Sequence, residues 1–286
     1  MTTAPELHVS PPTLRPFLKW AGGKGRLLAR ILPYVPSSFA NYHEPFLGGG
    51  AMFFAVRGRV IGRAYLHDLN EALINVWQQI QQAPEPLYEA IEWYHERDSK
   101  EFYYEQRTAD PTTRTQQAAR FIYLNQTAWN GLWRVNKFGQ FNVPWGDRPF
   151  RGIELETLLR TSDALAGTTI TNSDFRDSLA KAEVGDFVYL DPPYLPISDT
   201  SKFYLYTEKR FRAPDLAELA GLCHELTERG VHWIMSNRDT PQVRELFPDC
   251  EMTRFTTRRS VAAQNRRSVE ASDSPEVLIV GRRARR

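Results

Sequence analysis

The stretch FVYLDPPYLP, residues 187 to 196, ends an apolar run in one carboxylate, two prolines and a tyrosine. The strand-like residues before Asp191 put that acid at a strand's carboxyl end, where open α/β sheets bind ligands. Pro192 and Pro193 fix φ and remove two backbone donors while keeping their carbonyls. The Asp191 carboxylate and the Pro192 carbonyl therefore form two rigid acceptors, suited to a group with two N–H donors such as an exocyclic amine. Tyr194 adds a flat face on which a base can stack. Asp-Pro turns also occur as plain structure, but a strand followed by all four residues is a more specific pattern. It reads as a grip on an aromatic amine.

Two glycine stretches could serve a cofactor. AGGKGRLL superficially suggests a phosphate loop, yet no glycine lies five residues before Gly23, and Gly25 stands where Ser or Thr belongs. That reading fails. EPFLGGGAMFF, residues 44 to 54, is the better candidate, since Gly48 to Gly50 between strand and helix let backbone approach a ligand. Asp68 ends the next strand, where an acid would take ribose hydroxyls. Glycine turn and acid alone do not separate NAD from S-adenosyl-L-methionine, and a plain tight turn stays open.

The elements that must position these residues alternate. A glycine-rich turn and an amphipathic helix are expected from FLKWAGGKGRLL towards Leu32, with Pro33 stopping the helix. NYHE and RAYLHD read as strands. Residues 71 to 126 change character, with few strand signals and apolar spacing consistent with several helices. TAWNGLWRVNKFGQFNVPWG, rich in Trp, Asn and Gly, reads as a hairpin or paired loops. After Arg151 strands return in TTITNSDF, DFVYLDPPY, VHWIMSN and EVLIVGRR, with a helix from Asp215 to Arg229. This rhythm predicts an α/β fold with a mainly parallel sheet and a helical insertion.

Bulk properties limit the classes. At 286 residues the chain holds one large α/β domain, or one carrying an insertion. A net charge of +2 means that a nucleic-acid partner must be held by local basic patches. Cys223 and Cys250 offer neither a disulfide framework nor a zinc quartet, and the histidines show no metal spacing. No metal is expected. The opening MTTAPELHVSPP lacks the blocks of a signal peptide, and no apolar run approaches the ~20 residues that cross a bilayer. A cytoplasmic protein without membrane association is expected.

FLKWAGGKGRLL, EPFLGGGAMFF, FIYLNQTAWNGLWRVNKFGQFNVPWG, YLDPPY and SNRDT, in that order, resemble the successive blocks of the Dam-type (D12 class) DNA adenine-N6 methyltransferases, in the alpha arrangement. The resemblance runs from residue 15 to about 270. It implies a Rossmann-like methyltransferase domain (15–70 and 150–286) and an inserted helical target-recognition domain carrying a β-hairpin (71–149). It also implies methyl transfer from S-adenosyl-L-methionine to adenine N6 in double-stranded DNA, with GATC favoured as the site. A restriction endonuclease acting on the same sequence would be a natural counterpart.

Carried over residue by residue, the resemblance assigns Trp20, Lys24, Asp68, Asp191 and Phe175 to the cofactor, with the turn from Pro45 through Phe46 and Gly48 to Gly50 around its methionine end. Asp191, Pro192 and Tyr194 would be catalytic. Lys19 would contact target bases, Trp129 beside Asn130 would intercalate, Arg134 would read guanine, and Leu132 and Pro144 would touch thymine methyls. Independent physics agrees. Arginine matches guanine O6 and N7 bidentately, an apolar wedge unstacks a step, and a buried amine must be flipped out to react. Trp133 and Trp145 fit a packed cluster as readily as a binding role.

Two departures stand out. Gln126 replaces an arginine, which removes an expected phosphate contact, and His43 replaces an aliphatic residue, a change expected to have no consequence. The polar LPISDTSKFYLYTEKRF suits a flap over a flipped base or an ordinary surface loop. The tail from Arg258, with eight arginines against three acids, suits phosphate neutralisation or a solvated end. Rival functions are cytosine-N4 methylation of DNA, an S-adenosyl-L-methionine enzyme acting on RNA or protein, and a catalytically silent DNA-binding regulator. Asp rather than Ser at position 191 favours adenine by the same resemblance. Whether such an enzyme acts alone or beside a nuclease is left open.

Overall fold

The computed structural model describes residues 14, 16–20, 22–136, 138–195, 211–258 and 273–281. Residues 196–210 of the candidate flap, most of the basic tail and the first thirteen residues lie outside the described residues.

Short apolar runs form the centre of a seven-stranded sheet. Strands β1 (Tyr42–Glu44), β2 (Ala64–Asp68), β3 (Thr169–Asn172), β4 (Phe187–Leu190) and β5 (His232–Arg238) are parallel. Strands β6 (Glu251–Arg258) and β7 (Asp273–Gly281) complete the order β3-β2-β1-β4-β5-β7-β6, with β7 antiparallel to both neighbours. All four residues of β4 are buried, as a strand covered on both faces requires. Strands are added on one side of β1 and then on the other, so the crevice for ligands opens at the carboxyl ends of β1 and β4.

Helices cover both faces. They are α1 (Leu28–Ile31), α2 (Ala51–Val56), α3 (Glu71–Gln82), α4 (Pro84–His95), α5 (Lys100–Thr108), α6 (Arg114–Thr127), α7 (Leu155–Leu165), α8 (Phe175–Leu179), α9 (Ala213–Glu228) and α10 (Pro241–Leu246). Asn70, Ser99 and Thr113 cap α3, α5 and α6 by accepting backbone N–H bonds, which sets where each begins. α3 packs on β2 and β3 and also against α6 and α7, joining the helical insertion to the sheet. One apolar core runs from Tyr189 and Phe187 through Trp77 to Tyr123, and a second lies between β4, β5 and α9.

Two local expectations are revised, and the hairpin reading is made specific. The first helix is only four residues long, and Pro33 sits inside a following 3-10 turn (Leu32–Tyr34) that its fixed φ permits. The Trp-rich hairpin is held by isolated antiparallel bridges, Val135 with Phe141 and Ala128 with Trp145, instead of a continuous ladder. His43 does have a consequence. It is buried, and its Nε2 meets Asp186 Oδ2 at 2.9 Å, tying β1 to the start of β4. Among the described residues no helix is long and apolar enough to cross a membrane.

Candidate active site and nucleic-acid interface

Asp191 directly follows β4, which lies between β1 and β5 in the sheet. Lys24, 5% exposed, reaches over from the glycine-rich turn and places Nζ 2.6 Å from Asp191 Oδ1. The same ammonium donates to the Gly22 carbonyl at 2.8 Å and lies 5.2 Å from the centre of the Tyr194 ring. Ser236, two residues before the end of β5, donates a second hydrogen bond to Asp191 Oδ1, at 3.0 Å. The Tyr189 hydroxyl meets the Ser236 hydroxyl at 3.0 Å. Oδ1 is thereby fixed, whereas Oδ2 makes no hydrogen bond among the described residues. Burial pushes the Asp191 carboxyl above the usual carboxylate range, and Lys24 and Ser236 oppose that rise. Pro192 is buried behind the acid, and Tyr194 is half-buried beside it.

The turn after β1 is built by close backbone approach. Gly48 has φ +50, and a Cβ there would stand 2.6 Å from Trp20 Cδ1, so only glycine lets Trp20 lie on the turn. Trp20 also stacks near-parallel on Phe121 at 6.3 Å, which fastens the segment before the glycine turn to α6. Trp77 Nε1 donates to the Gly48 carbonyl at 3.0 Å. Gly50, at φ +71, caps α2. Asp68 accepts the Gly48 N–H at 3.0 Å and the Asn70 N–H at 2.9 Å, one on each carboxylate oxygen. Burial raises its pKa to about 6. Phe46 and Phe175 stack at 5.7 Å, with Phe211 edge-on at 6.1 Å to Phe46.

These groups fit S-adenosyl-L-methionine. Two carboxylates suit a cation and its hydroxyls, the phenylalanine cluster suits an adenine ring, and the backbone turn admits an amino-acid end. Among the described residues no cluster of His, Cys, Asp and Glu has the form of a metal site.

A second constellation sits on the insertion. Trp129, Leu132, Arg134, Val143 and Pro144 line one cavity of about 310 Å³. Asn130 (φ 55) and Gly131 (φ 64) are consecutive left-handed residues that turn the chain sharply after Trp129. A Cβ at Gly131 would lie 2.7 Å from both Cβ and Cδ of Lys19, so the glycine admits the Lys19 stem. Arg134 Nε donates to Asn142 Oδ1 at 2.7 Å and Nη2 to the Asn142 carbonyl at 3.3 Å, holding the guanidinium plane. Trp133, by contrast, is buried and stacked on Phe121 at 3.8 Å, which makes it core.

Trp129, Leu132, Arg134 and Pro144 share one cavity, Lys19 packs against Gly131 beside them, and Lys24 and Tyr194 gather around Asp191. Several participants went unread. Asn125 clamps the Lys19 backbone, accepting its N–H at 2.8 Å and donating to its carbonyl at 2.7 Å. Arg148 and Arg151 lie near enough, with burial, to lower the Lys19 pKa, and together they make a local basic patch. Ser236 lies in the quoted SNRDT block but had no role assigned. Glu44 is buried under the glycine turn, accepts the Tyr42 hydroxyl at 2.9 Å, and is pushed well above the usual carboxylate range by burial. Its signal was present as the acid in EPF.

This strand order, with a glycine turn after β1 and Asp-Pro-Pro-Tyr after β4, defines a Rossmann-like methyltransferase. The chain matches the family model of the D12 class N6 adenine-specific DNA methyltransferases over residues 20–261, and it belongs to that family. It is an adenine-specific DNA methyltransferase by family, which speaks against the cytosine-N4 reading. Relatives include Type II methyltransferase M1.LlaDCHI of Lactococcus lactis subsp. cremoris, 36% identical over 88% of this chain and 91% of that one. Type II methyltransferase M.MjaIII of Methanocaldococcus jannaschii is 34% identical over 78% and 84%. The DNA adenine methylase of Escherichia coli (strain K12) is 32% identical over 87% and 90%. A solved rRNA methylase from Streptococcus thermophilus overlaps 94% of this chain and 97% of its own at 10% identity, with a TM-score of 0.33, too distant to bear on function.

Proposed function

We propose that the enzyme methylates N6 of a flipped adenine in duplex DNA, using S-adenosyl-L-methionine, with GATC as the favoured site. The observation that carries this is Asp191, whose Oδ1 is held by Lys24 and Ser236 while Oδ2 carries no such bond. When bound, S-adenosyl-L-methionine supplies a methyl group already activated by its sulfonium sulfur.

The chain's own residues then position and polarise. Asp191 Oδ2 and the Pro192 carbonyl accept the two N6 hydrogens. This favours a more sp³-like nitrogen and stabilises the positive charge that grows on it. Tyr194 stacks on the flipped base, and its face is kept beside Asp191 by the loop. Burial raises the proton affinity of Asp191, which suits it to receive the proton that N6 sheds. Lys24 serves Asp191 first, and through it the cofactor. Trp20, Pro45, Phe46, Gly48, Gly50, Asp68 and Phe175 hold the cofactor, Asp68 at its hydroxyls and Phe46 with Phe175 at its adenine.

Residues 71–149 read the DNA. Trp129 wedges into the stack, and Asn130 follows it. Arg134, with its plane set by Asn142, forks onto guanine O6 and N7, Leu132 and Pro144 meet thymine methyls, and Lys19 contacts the target bases. The cavity bordered by four of these side chains supports this reading. The enzyme works in the cytoplasm, and a restriction endonuclease of the same specificity is a natural counterpart.

Expression in a methylation-free host, followed by sequencing of modified bases, tests the reading. N6-methyladenine confined to one short motif, GATC foremost, is expected. Methylcytosine, or DNA left unmodified by a folded enzyme, would overturn it.

A further inference from the structure

Opposite the catalytic acid, the antiparallel strand β7 carries an acid that the mechanism above does not use. Glu276 is 7% exposed, and its Oε2 accepts the Tyr194 hydroxyl at 2.9 Å. The β5–β7 register sets Glu276 directly across from Arg238. On one sheet face such partners have Cβ atoms about 5 Å apart, so the two side chains leave the sheet together. Arg238 is itself buried, donates Nη1 to the Leu195 carbonyl at 3.4 Å, and stands 5.9 Å from the Tyr194 ring centre. Ser236, two residues earlier on β5, holds Asp191. The loop after β4 is thus fastened at Asp191, Tyr194 and Leu195, in each case from the β5–β7 pair.

We infer that Glu276 is a positioning residue for methyl transfer: its buried carboxylate fixes the tilt of the Tyr194 ring on which the flipped base lies. The inference rests on the function proposed above. A phenylalanine at 194 would stack equally well, so the hydroxyl gains its purpose from the acceptor opposite. A carboxylate out of water is costly unless hydrogen-bonded, and this one takes a strong O–H donor. Burial, and then Asp191 and Glu276, push the Tyr194 phenol far above its ordinary value, so it keeps the proton it donates. A ring that cannot tilt delivers the base amine to Asp191 in one orientation, and small errors of angle there are expensive in rate.

The test is a double-mutant cycle in the full chain. Wild type, Y194F, E276A, E276Q and Y194F/E276A are compared for kcat and KM on a duplex carrying the methylated motif, with melting temperatures taken alongside. Loss of a hydrogen bond to a charged group predicts kcat lower by about ten- to a hundredfold in E276A, with KM for S-adenosyl-L-methionine within about twofold. E276Q, whose amide oxygen still accepts, should recover most of that loss. On the Y194F background, E276A should cost no more than about twofold further. Losses that multiply in the double variant, or E276Q as slow as E276A, would overturn the inference. Should E276A fail to fold, Y194F and E276Q decide: Y194F with wild-type kcat overturns it. If wild type methylates no duplex, the proposed function fails while the contact is still readable. In protein labelled with 13C at tyrosine Cζ, the Tyr194 resonance should move in E276A, and an unmoved resonance would remove the hydrogen bond itself.

Discussion

Lys24→Met is the perturbation that bears most on how Asp191 is prepared. At 2.6 Å and an effective dielectric of ~20, the gross attraction between these charges is about 6 kcal/mol. Desolvation of both ions consumes much of that, so the quantity an experiment reads is the cost of the stranded partner. Removing one member of a buried pair typically costs about 3–5 kcal/mol, and the lower end applies because Asp191 is 21% exposed and keeps Ser236. In a chain of this size about 3 kcal/mol lowers Tm by roughly 6–12 °C. The deficit must also depend on pH. Lys24 is the largest influence holding the Asp191 pKa down against burial, so its loss raises that pKa further. An acid with a raised folded pKa contributes stability below its ordinary pKa and loses it as pH rises through the folded value. The K24M deficit is therefore expected to be larger at pH 8 than at pH 5, as measured by urea melts at both. The isosteric K24M/D191N double variant should regain most of the stability and none of the activity. A K24M protein that melts within 2 °C of wild type at both pH values would refute this account of the pair.

Other outcomes follow from the same geometry. Arg134→Ala should cost about 1–3 kcal/mol of discrimination at one guanine, read as competition between cognate and substituted duplexes; unchanged discrimination would remove Arg134 from readout. Gly131→Ala forces a left-handed alanine, about 1–2 kcal/mol, and pushes a methyl into Lys19. Both melting temperature and DNA affinity should fall, and an unchanged affinity would separate Lys19 from the DNA. Burial, with His43 and Lys181 nearby, lowers the His67 pKa to about 4. The unfolded chain then binds more protons between pH 6.5 and 4, so His67 withdraws up to about 3 kcal/mol of stability across that window as pH falls. Asp68, raised to about 6, acts in the opposite sense over nearly the same range. His67→Gln should therefore gain stability relative to wild type as urea melts move from pH 6.5 to 4, and a constant difference would contradict the assignment.

The parallel strands were legible because burial on both faces turns them into apolar runs such as Phe187–Leu190. The edge strand Glu251–Arg258, EMTRFTTR, was not, since a half-exposed edge strand carries charge and shows no continuous apolar signal. Helix Leu155–Leu165 has a mixed composition and was passed over, although its apolar face packs on α3 and α4. At the site, chemistry that lies within one turn could be read directly, as in Asp191 to Tyr194 or Gly48 to Gly50. Contacts made by strand order could not. Lys24 with Asp191, Ser236 with Asp191 and His43 with Asp186 join segments far apart in sequence, and only the sheet order brings them together. Arg134 was singled out as a reader of guanine, but its dependence on Asn142 appears only once the hairpin is closed.

The most direct test of the whole account is the single-turnover rate of Asp191→Ala on a duplex with 2-aminopurine beside the target adenine. With S-adenosyl-L-methionine at saturation, so that a weakened cofactor contact does not limit the rate, the flipping fluorescence is expected to stay close to wild type, while methyl transfer falls by about a hundredfold or more, the scale of losing a preorganised polar contact to developing charge. Transfer at the wild-type rate with that side chain gone would contradict it.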